Sequence, residues 1–475
     1  MLEELLLIYP ELTLIFAICA VLVADMTLAK RLPAINYYVS FVFLLYIGYC
    51  LAHRTPVNVH ENIFNGAINV TSYSQIMKFI ATILMLAITV QSKLYLGYIK
   101  KAGCEFYVLC LINLLGIFVM VSAGNFLVLY LGLELVALTL YTLVAFDREA
   151  PQSSEAAMKF YVLGAVASGF LLYGISLIYG ATGSINFAEV SLFYGSGSPP
   201  QLLSIVGLMF ILVSVIFKFG AFPMFQWVPD TYEGSMLPVG MILSSISKVA
   251  SFIFFVILLR NIFEALDFYW MSTMFVVGLS SLIYGNVVAL RQTNIKRLVA
   301  YSTIGHVGFI LIALSLYGDS GFSSALFYTV TYALMAFALF AILIALYIQG
   351  IKVNSINDLK GLHASQPILA MMMLLTIFSM AGIPPFIGFH AKLFVLQALL
   401  EADYLMVAIT CVLMSLIAAY YYLKIIWFIY FESCKHYVKP KRNAANILAI
   451  TSSVGLLLIG VFPAAWTQFL FSINP

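Results

Sequence analysis

Charge is the scarcest commodity in these 475 residues: Asp, Glu, Lys and Arg together make up 9% of the chain. Soluble domains carry about 25% charged residues, so a water-soluble fold is excluded. Cysteine and histidine are also few, six of each. No two cysteines form a CxxC pair, and no histidines show HxxxH or HExxH spacing. The cysteines read as small core residues, and on that spacing no haem, iron–sulfur or zinc site is expected within the chain. The N-terminus, MLEELLL, is acidic where a cleavable signal needs basic residues, so none is expected. Nothing resembles a nucleic-acid-binding patch.

What is present is hydrocarbon. Hydrophobic residues make up 63% of the chain, and the mean hydropathy is +1.04. Runs of roughly 20 apolar residues, each long enough to cross a bilayer, follow one another from end to end. The expected fold is an all-α polytopic membrane protein of about fourteen spans. Their expected limits are 5–24, 34–52, 74–91, 105–123, 125–146, 157–180, 201–227, 237–259, 269–290, 297–317, 323–348, 367–399, 403–430 and 444–470. The fourth and fifth are separated by the tight turn Ser122–Asn125, and the seventh and twelfth are overlong with Gly and Pro inside them.

Placing both termini on one face leaves sixteen Lys and Arg on the other, among them Lys30, Arg31, Lys93, Lys100, Lys101, Arg148, Lys159, Arg291, Lys352, Lys435, Lys439, Lys441 and Arg442. Only Arg54, Lys78 and Arg260 remain opposite. The positive-inside rule makes the crowded face cytoplasmic. Glu3, Glu4, Glu11 and Asp25 lie near the ends of the first span and are expected to face water.

A faint internal repeat runs through the chain. GNFLVLYLGLELVAL opens the fifth span and TNIKRLVAYSTIGHVGFILIAL the tenth, and each precedes a span and then a Gly/Pro-broken one with a lysine. Five spans per unit is an odd number, so the second unit enters from the opposite face as an inverted repeat. The expected organisation is a three-helix segment over 1–104, one repeat over 105–259, its inverted copy over 260–430 and a last helix over 431–475.

The polar residues inside the membrane carry the function. A charge in hydrocarbon costs roughly 3 kcal/mol on insertion scales, so each intramembrane ionisable residue marks a functional site unless it is a mere helix-pinning pair. Lys218 lies deep in an apolar run and is followed by Gly220 and Pro223, which break the helix and free carbonyls beside it. Lys392 follows Gly382, Pro384, Pro385 and Gly388, the same device with the break before the lysine. Lys248 sits half-way along the eighth span among Ser244, Ser245 and Ser247, whose hydroxyls suggest the wall of a hydrated cavity. Glu134, in the middle of the fifth span, would be uncharged alone but can ionise opposite a lysine, and Lys218 is the expected partner. His306, after Ser302 and Thr303, is placed to relay a proton between Lys248 and Lys392. A lone histidine in a helix is as often a hydrogen-bonded core residue, and His390 has less claim to a relay. Asp230 and Glu233 are expected to cap the eighth span or, failing that, to gather protons.

These motifs together resemble the antiporter-like membrane subunits of respiratory complex I. The carriers are GNFLVLYLGLELVAL, FKFGAFPMFQWVPDTYEG, SSISKVASF, QTNIKRLVAYSTIGHVGFILIAL and AGIPPFIGFHAKLFVL, and the likeness covers nearly the whole chain. Lysine rather than glutamate at 392, and an end at Pro475 without a lateral helix, are similar to the N-type subunits rather than the M- and L-types. Phe225 stands where the family often has histidine, and SMLPV replaces a small-Pro-x-Pro stretch. The resemblance implies a bacterial inner-membrane subunit with periplasmic termini that translocates protons through Glu134, Lys218, Lys248, His306 and Lys392. It implies that NADH, FMN, iron–sulfur clusters and quinone are held by partner subunits. It also implies neighbouring antiporter-like subunits and the lateral helix of subunit L as contacts. A subunit of a multisubunit sodium/proton antiporter, which shares the fold, is the alternative; a purely structural spacer is the third reading.

Overall fold

The computed structural model describes residues 7–28, 31–32, 34–53, 61–101, 103–196, 201–316, 318–433 and 444–473. Glu3, Glu4, Lys30, Arg54, Lys435, Lys439, Lys441 and Arg442, all used above for topology, lie outside them.

Helices α1 (Tyr9–Leu28), α2 (Ile35–His53), α3 (Ser72–Ile99), α4 (Cys104–Val121), α5 (Phe126–Val144) and α6 (Pro151–Thr182) correspond to the first six spans. A short helix α7 (Phe187–Gly195) follows. The seventh span is broken into α8 (Leu202–Phe219) and α9 (Trp227–Gly234). The eighth is α10 (Leu237–Ser244) and α11 (Ile246–Phe255), extended by a π-helical turn over Val256–Ile262. Then come α12 (Asp267–Ala289), α13 (Ile295–Leu314) and α14 (Asp319–Ile348). The twelfth span is two halves, α15 (Pro367–Ala381) and α16 (Ile387–Glu401), and α17 (Leu405–Tyr430), α18 (Ala444–Val461) and α19 (Pro463–Phe471) close the chain. Among the described residues, thirteen helical stretches meet the length and hydropathy needed to cross a membrane. The twelfth span fails that measure because each half has only 15 residues. The fold is thus that of a multi-pass all-α membrane protein, with one interruption the hydropathy did not reveal: Ser245, φ −109° and ψ −85°, splits the eighth span just before Lys248.

The chain falls into two compact units. One comprises Met1–Phe217, Ala250–Trp270 and Ile473–Pro475. Within it α1 packs on α2 and α4, α2 on α3, and α4 on α5. The last contact is close because a Cβ on Gly116 would lie 2.9 Å from the Gly132 carbonyl oxygen, so only small residues let these backbones approach. A small antiparallel hairpin, β1 (Glu61–Ile63) and β2 (Ile68–Val70), joins α2 to α3 with Glu61 opposite Val70. Its Phe64-Asn65-Gly66 turn takes positive φ throughout, as an Asn-Gly hairpin requires. Thr71 then starts α3 by accepting from the Ser74 amide at 3.1 Å while Ser74 Oγ accepts the Thr71 amide at 3.0 Å.

The second unit comprises Lys218–Val249 and Met271–Ser472. Its centre is α14, which packs against α10, α13, α15, α16 and α18 and is apolar and buried along almost its whole length. A helix with no polar face belongs in the middle of a bundle.

One local motif occurs in both units. In the first, Asn125 caps α5, accepting from the Val128 amide at 2.8 Å, and pairs with Asn186 just before α7. In the second, Asn294 caps α13 through the Lys296 and Arg297 amides and pairs with Ser355. The flanking bonds match as well: Phe126 N to Ile185 O at 3.1 Å and Ile295 N to Asn354 O at 3.0 Å. The paired residues are 61 apart each time (186 − 125 and 355 − 294).

Candidate functional site: buried cations at interrupted helices

The site begins where α8 stops. Gly220 takes φ +67° immediately after Phe219, a left-handed cap that a side chain would resist and that a Cβ would drive into Val228. The helical ladder is interrupted at this point, and Lys248 reaches the backbone there: its Nζ donates to Phe219 O at 2.8 Å. The ammonium also lies 5.3 Å from the centroid of the Trp227 ring, and Lys248 is 1% exposed. A cation at a helix C-terminus meets the negative end of the peptide dipoles, which is how this charge is compensated without a carboxylate. The break at Ser245 aims α11 so that Lys248 reaches this point. The Ser244 and Ser245 hydroxyls both donate back to Met241 O, at 3.3 and 2.5 Å. Lys218 is in the last turn of α8, half-buried, one residue before the carbonyl that Lys248 uses.

The same construction recurs in the twelfth span. Gly382, φ +82°, ends α15, and Lys392 on α16 donates to Ala381 O at 2.7 Å, with its Nζ 5.8 Å from the Phe309 ring. A Cβ on Gly382 would come 2.7 Å from Lys392 Cδ, so the glycine also makes room for the lysine stem. Both interruptions carry a cis X–Pro bond, Phe222–Pro223 and Pro384–Pro385.

His306 is buried on α13 and is hydrogen-bonded at both ring nitrogens: Nδ1 to Tyr328 Oη at 2.8 Å and Nε2 to Tyr422 Oη at 3.1 Å. Tyr422 also bonds Ser302 Oγ, and Tyr332 donates to Thr303 Oγ1 at 2.7 Å. Tyr328 stacks on Phe309, the ring that Lys392 faces. These tyrosines escaped the sequence reading, because a tyrosine in an apolar helix looks like core. Glu134, half-buried on α5, accepts a hydrogen bond from Ser168 Oγ of α6.

Two expectations are corrected. Asp230 and Glu233 do not cap the eighth span, whose first residue follows Met236 with no side-chain cap. They hold Arg297 instead, whose Nη1 donates to Asp230 Oδ1 at 2.9 Å and Glu233 Oε2 at 2.8 Å, tying α9 to α13. Lys296 adds a bond to Ser235 O at 2.6 Å. Glu11 does not face water. It is 7% exposed and receives Lys78 Nζ on Oε1 at 2.5 Å, a buried ion pair between α1 and α3. Among the described residues no three His, Cys, Asp or Glu side chains gather as metal ligands would.

The transmembrane family described as NADH:quinone oxidoreductase/Mrp antiporter matches residues 123–418. NADH-quinone oxidoreductase subunit N of Nitrosomonas europaea is 40% identical, over 96% of this chain and 95% of that one. The chain belongs to this family. Subunit N of Hydrogenovibrio crunogenus is 38% identical over 96% of each chain, so the likeness to the family's N subunits spans almost the full length. Among solved structures, a chain of respiratory complex I from Thermus thermophilus with bound aureothin superposes with a TM-score of 0.79 at 26% identity, over 97% of this chain and 99% of that one. A chain of the Mrp complex from Dietzia sp. DQ12-45-1b reaches 0.80 at 19% identity, over 100% and 97%, a likeness of fold alone. All the candidate site residues, Glu134 through Lys392, fall inside the stretch the family shares, whereas Glu11 and Lys78 precede it.

Proposed function

We propose that this chain is the N-type membrane subunit of a proton-pumping NADH:quinone oxidoreductase, and that it moves protons without taking part in redox chemistry. NADH, FMN, iron–sulfur clusters and quinone are held by partner subunits, and neighbouring antiporter-like subunits and the lateral helix of an L-type subunit lie against it. It spans a bacterial inner membrane with both termini periplasmic, in keeping with the crowding of Lys and Arg on the opposite face. The two repeats over 105–259 and 260–430 enter from opposite faces; the recurrence of the Asn125 motif at Asn294 supports their being copies of one unit.

The observation that carries the proposal is the compensation of Lys248 and Lys392 by single carbonyls at interrupted helices. An ammonium held by a dipole end is charged while the half-helix is in place; moving that end away leaves a desolvated charge, which is relieved by giving up a proton. A tenfold change in proton affinity needs only about 1.4 kcal/mol, well within what a small shift in a 2.8 Å contact supplies. Glu134 sets the charge of Lys218, Lys218 acts on Lys248, His306 passes the proton on, and Lys392 loads it for release. The antiporter alternative is weaker, because the matches at 40% identity are N subunits and the Mrp likeness at 19% extends to fold only.

The test is made in the intact complex in sealed vesicles. Lys218→Ala and Glu134→Ala are expected to abolish most NADH-driven proton uptake while the complex still assembles. Full pumping by either variant defeats the scheme.

A further inference from the structure

We infer that Tyr328 and Tyr422 are relay residues flanking His306, forming a hydrogen-bonded wire from Ser302 to the Lys392 side of the second unit; this rests on the proton-pump reading above.

The chain runs Ser302 Oγ, Tyr422 Oη, His306 Nε2, His306 Nδ1, Tyr328 Oη, with the His306 contacts at 3.1 and 2.8 Å. Each member both donates and accepts. A neutral imidazole has one N–H and one bare nitrogen, so one tyrosine must donate to the ring while the other accepts from it. With the proton on Nδ1, Tyr422 donates to Nε2 and Tyr328 accepts. A proton reaching the Tyr422 oxygen from the Ser302 end displaces that hydroxyl's own proton onto Nε2. The Nδ1 proton then passes to the Tyr328 oxygen, and Tyr328 gives its own, through water, to the Lys392 amine, which has first released its proton outward. Each oxygen and the ring lose one proton for each they gain, so one proton crosses the chain. Before the next passage the hydroxyls turn, and the ring rotates to give its Nε2 proton to an internal water and take one from water on Nδ1. The Tyr328 end is the Lys392 end, since Phe309 stacks on Tyr328 at 5.4 Å between centroids and faces the Lys392 ammonium at 5.8 Å.

All three side chains are buried, Tyr328 and Tyr422 at 1% exposure and His306 at 5%, so bulk water is not the partner at these positions. They come from three helices, α13, α14 and α17, and the contacts join residues 22 and 116 apart in the chain. Merely satisfying a buried histidine would take one partner per nitrogen; here Tyr422 reaches past the ring to a further hydroxyl, Ser302, which extends the wire.

The experiment uses the intact complex in sealed vesicles, with a pH-sensitive dye reading proton uptake per NADH oxidised. Tyr328→Phe and Tyr422→Phe keep each ring and remove only the hydroxyl, and NADH oxidation by an artificial acceptor confirms that each complex assembles. Each variant is expected to slow proton uptake about tenfold or more, short of the 10²–10⁴ of a fully lost transfer group because water partly replaces a hydroxyl. His306→Gln keeps one donor and one acceptor yet cannot carry the proton. In that background either Phe substitution is expected to add nothing, since members of one wire fail together. Tyrosine losses that multiply with the His306→Gln loss overturn the relay, because independent packing effects add. Lys218→Ala runs in parallel. If it is inactive while both tyrosine variants pump within about twofold of the parent, the relay fails and the pump reading stands. If it pumps fully, the pump reading itself fails.

Discussion

The Glu11–Lys78 pair offers a calculation with a definite sign. Nζ and Oε1 are 2.5 Å apart, with side chains 2% and 9% exposed, and Glu11 Oε2 has no hydrogen-bond partner. Removing one member of a buried pair costs about 3–5 kcal/mol because the other charge is stranded, whereas replacing both by apolar groups is near neutral or stabilising. The orphaned Oε2 lowers the worth of the intact pair further, since part of the carboxylate's desolvation is unrepaid. Either single change leaves one charge buried without its counter-ion. Glu11→Leu strands an ammonium about 9 Å inside α3, six residues from Ser72 at 1.5 Å each. The Phe118 ring, 5.7 Å from Nζ, offsets roughly 1 kcal/mol of that. The expectation is therefore about 3 kcal/mol for each single variant, and within about 1 kcal/mol of the parent for the double variant. Graded SDS unfolding of the purified chain in mixed micelles measures all three. A double variant that costs the sum of the singles, or two singles that match the parent, refutes the reasoning.

Lys101 supplies a pH dependence outside the membrane spans. Its ammonium donates to Asp147 at 2.7 Å and Glu149 at 3.1 Å, and those bonds, Asp147's first, raise its pKa above the ordinary 10.5. A raised folded-state pKa stabilises fully below the unfolded value and is lost as pH rises through the folded one, so the stability difference between parent and Lys101→Met is expected to be flat below about pH 10 and to vanish above it. Thermal unfolding across pH 8 to 12 checks this, and a difference that grows with pH contradicts it. Gly388→Ala places a methyl against the Ser379 carbonyl oxygen, backbone that cannot step aside, and is expected to cost about 2–3 kcal/mol and to reduce proton uptake with it. A Gly388→Ala variant as stable and as active as the parent shows that α15 and α16 do not need this approach.

Hydropathy located the uninterrupted spans among the described residues because a bilayer-crossing helix must be apolar for about 20 residues whatever its neighbours are. The breaks at Gly220 and Gly382 were legible for a covalent reason: proline removes a donor and glycine permits positive φ, and both are visible as letters. The break at Ser245 has neither residue and depends on how α10 and α11 pack, so nothing local announces it. The hairpin at 61–70 did carry an Asn-Gly signal, but its strands are three residues each, too short for alternation to stand out from the surrounding apolar runs. Glu11 was misread because position near a span end predicts exposure only if no partner reaches it, and Lys78 lies 67 residues away. The tyrosines around His306 fall under the same limit. Periodicity reports which face a residue occupies, and hydrogen bonds between α13, α14 and α17 are set by tertiary contact alone.

Two ways of keeping a lysine charged in hydrocarbon coexist in this chain, and they suit different purposes. Lys78 is compensated by a full opposite charge, the Glu11 carboxylate, which fastens α1 to α3. Lys248 and Lys392 are compensated by the ends of half-helices, which are partial charges on movable backbone. Withdrawing such an end leaves behind no counter-ion in need of its own partner, only a carbonyl that water satisfies. The cost of release is then that of one shifted contact. The proposed proton row therefore includes the lysines at the Gly220 and Gly382 breaks, where such movable ends exist.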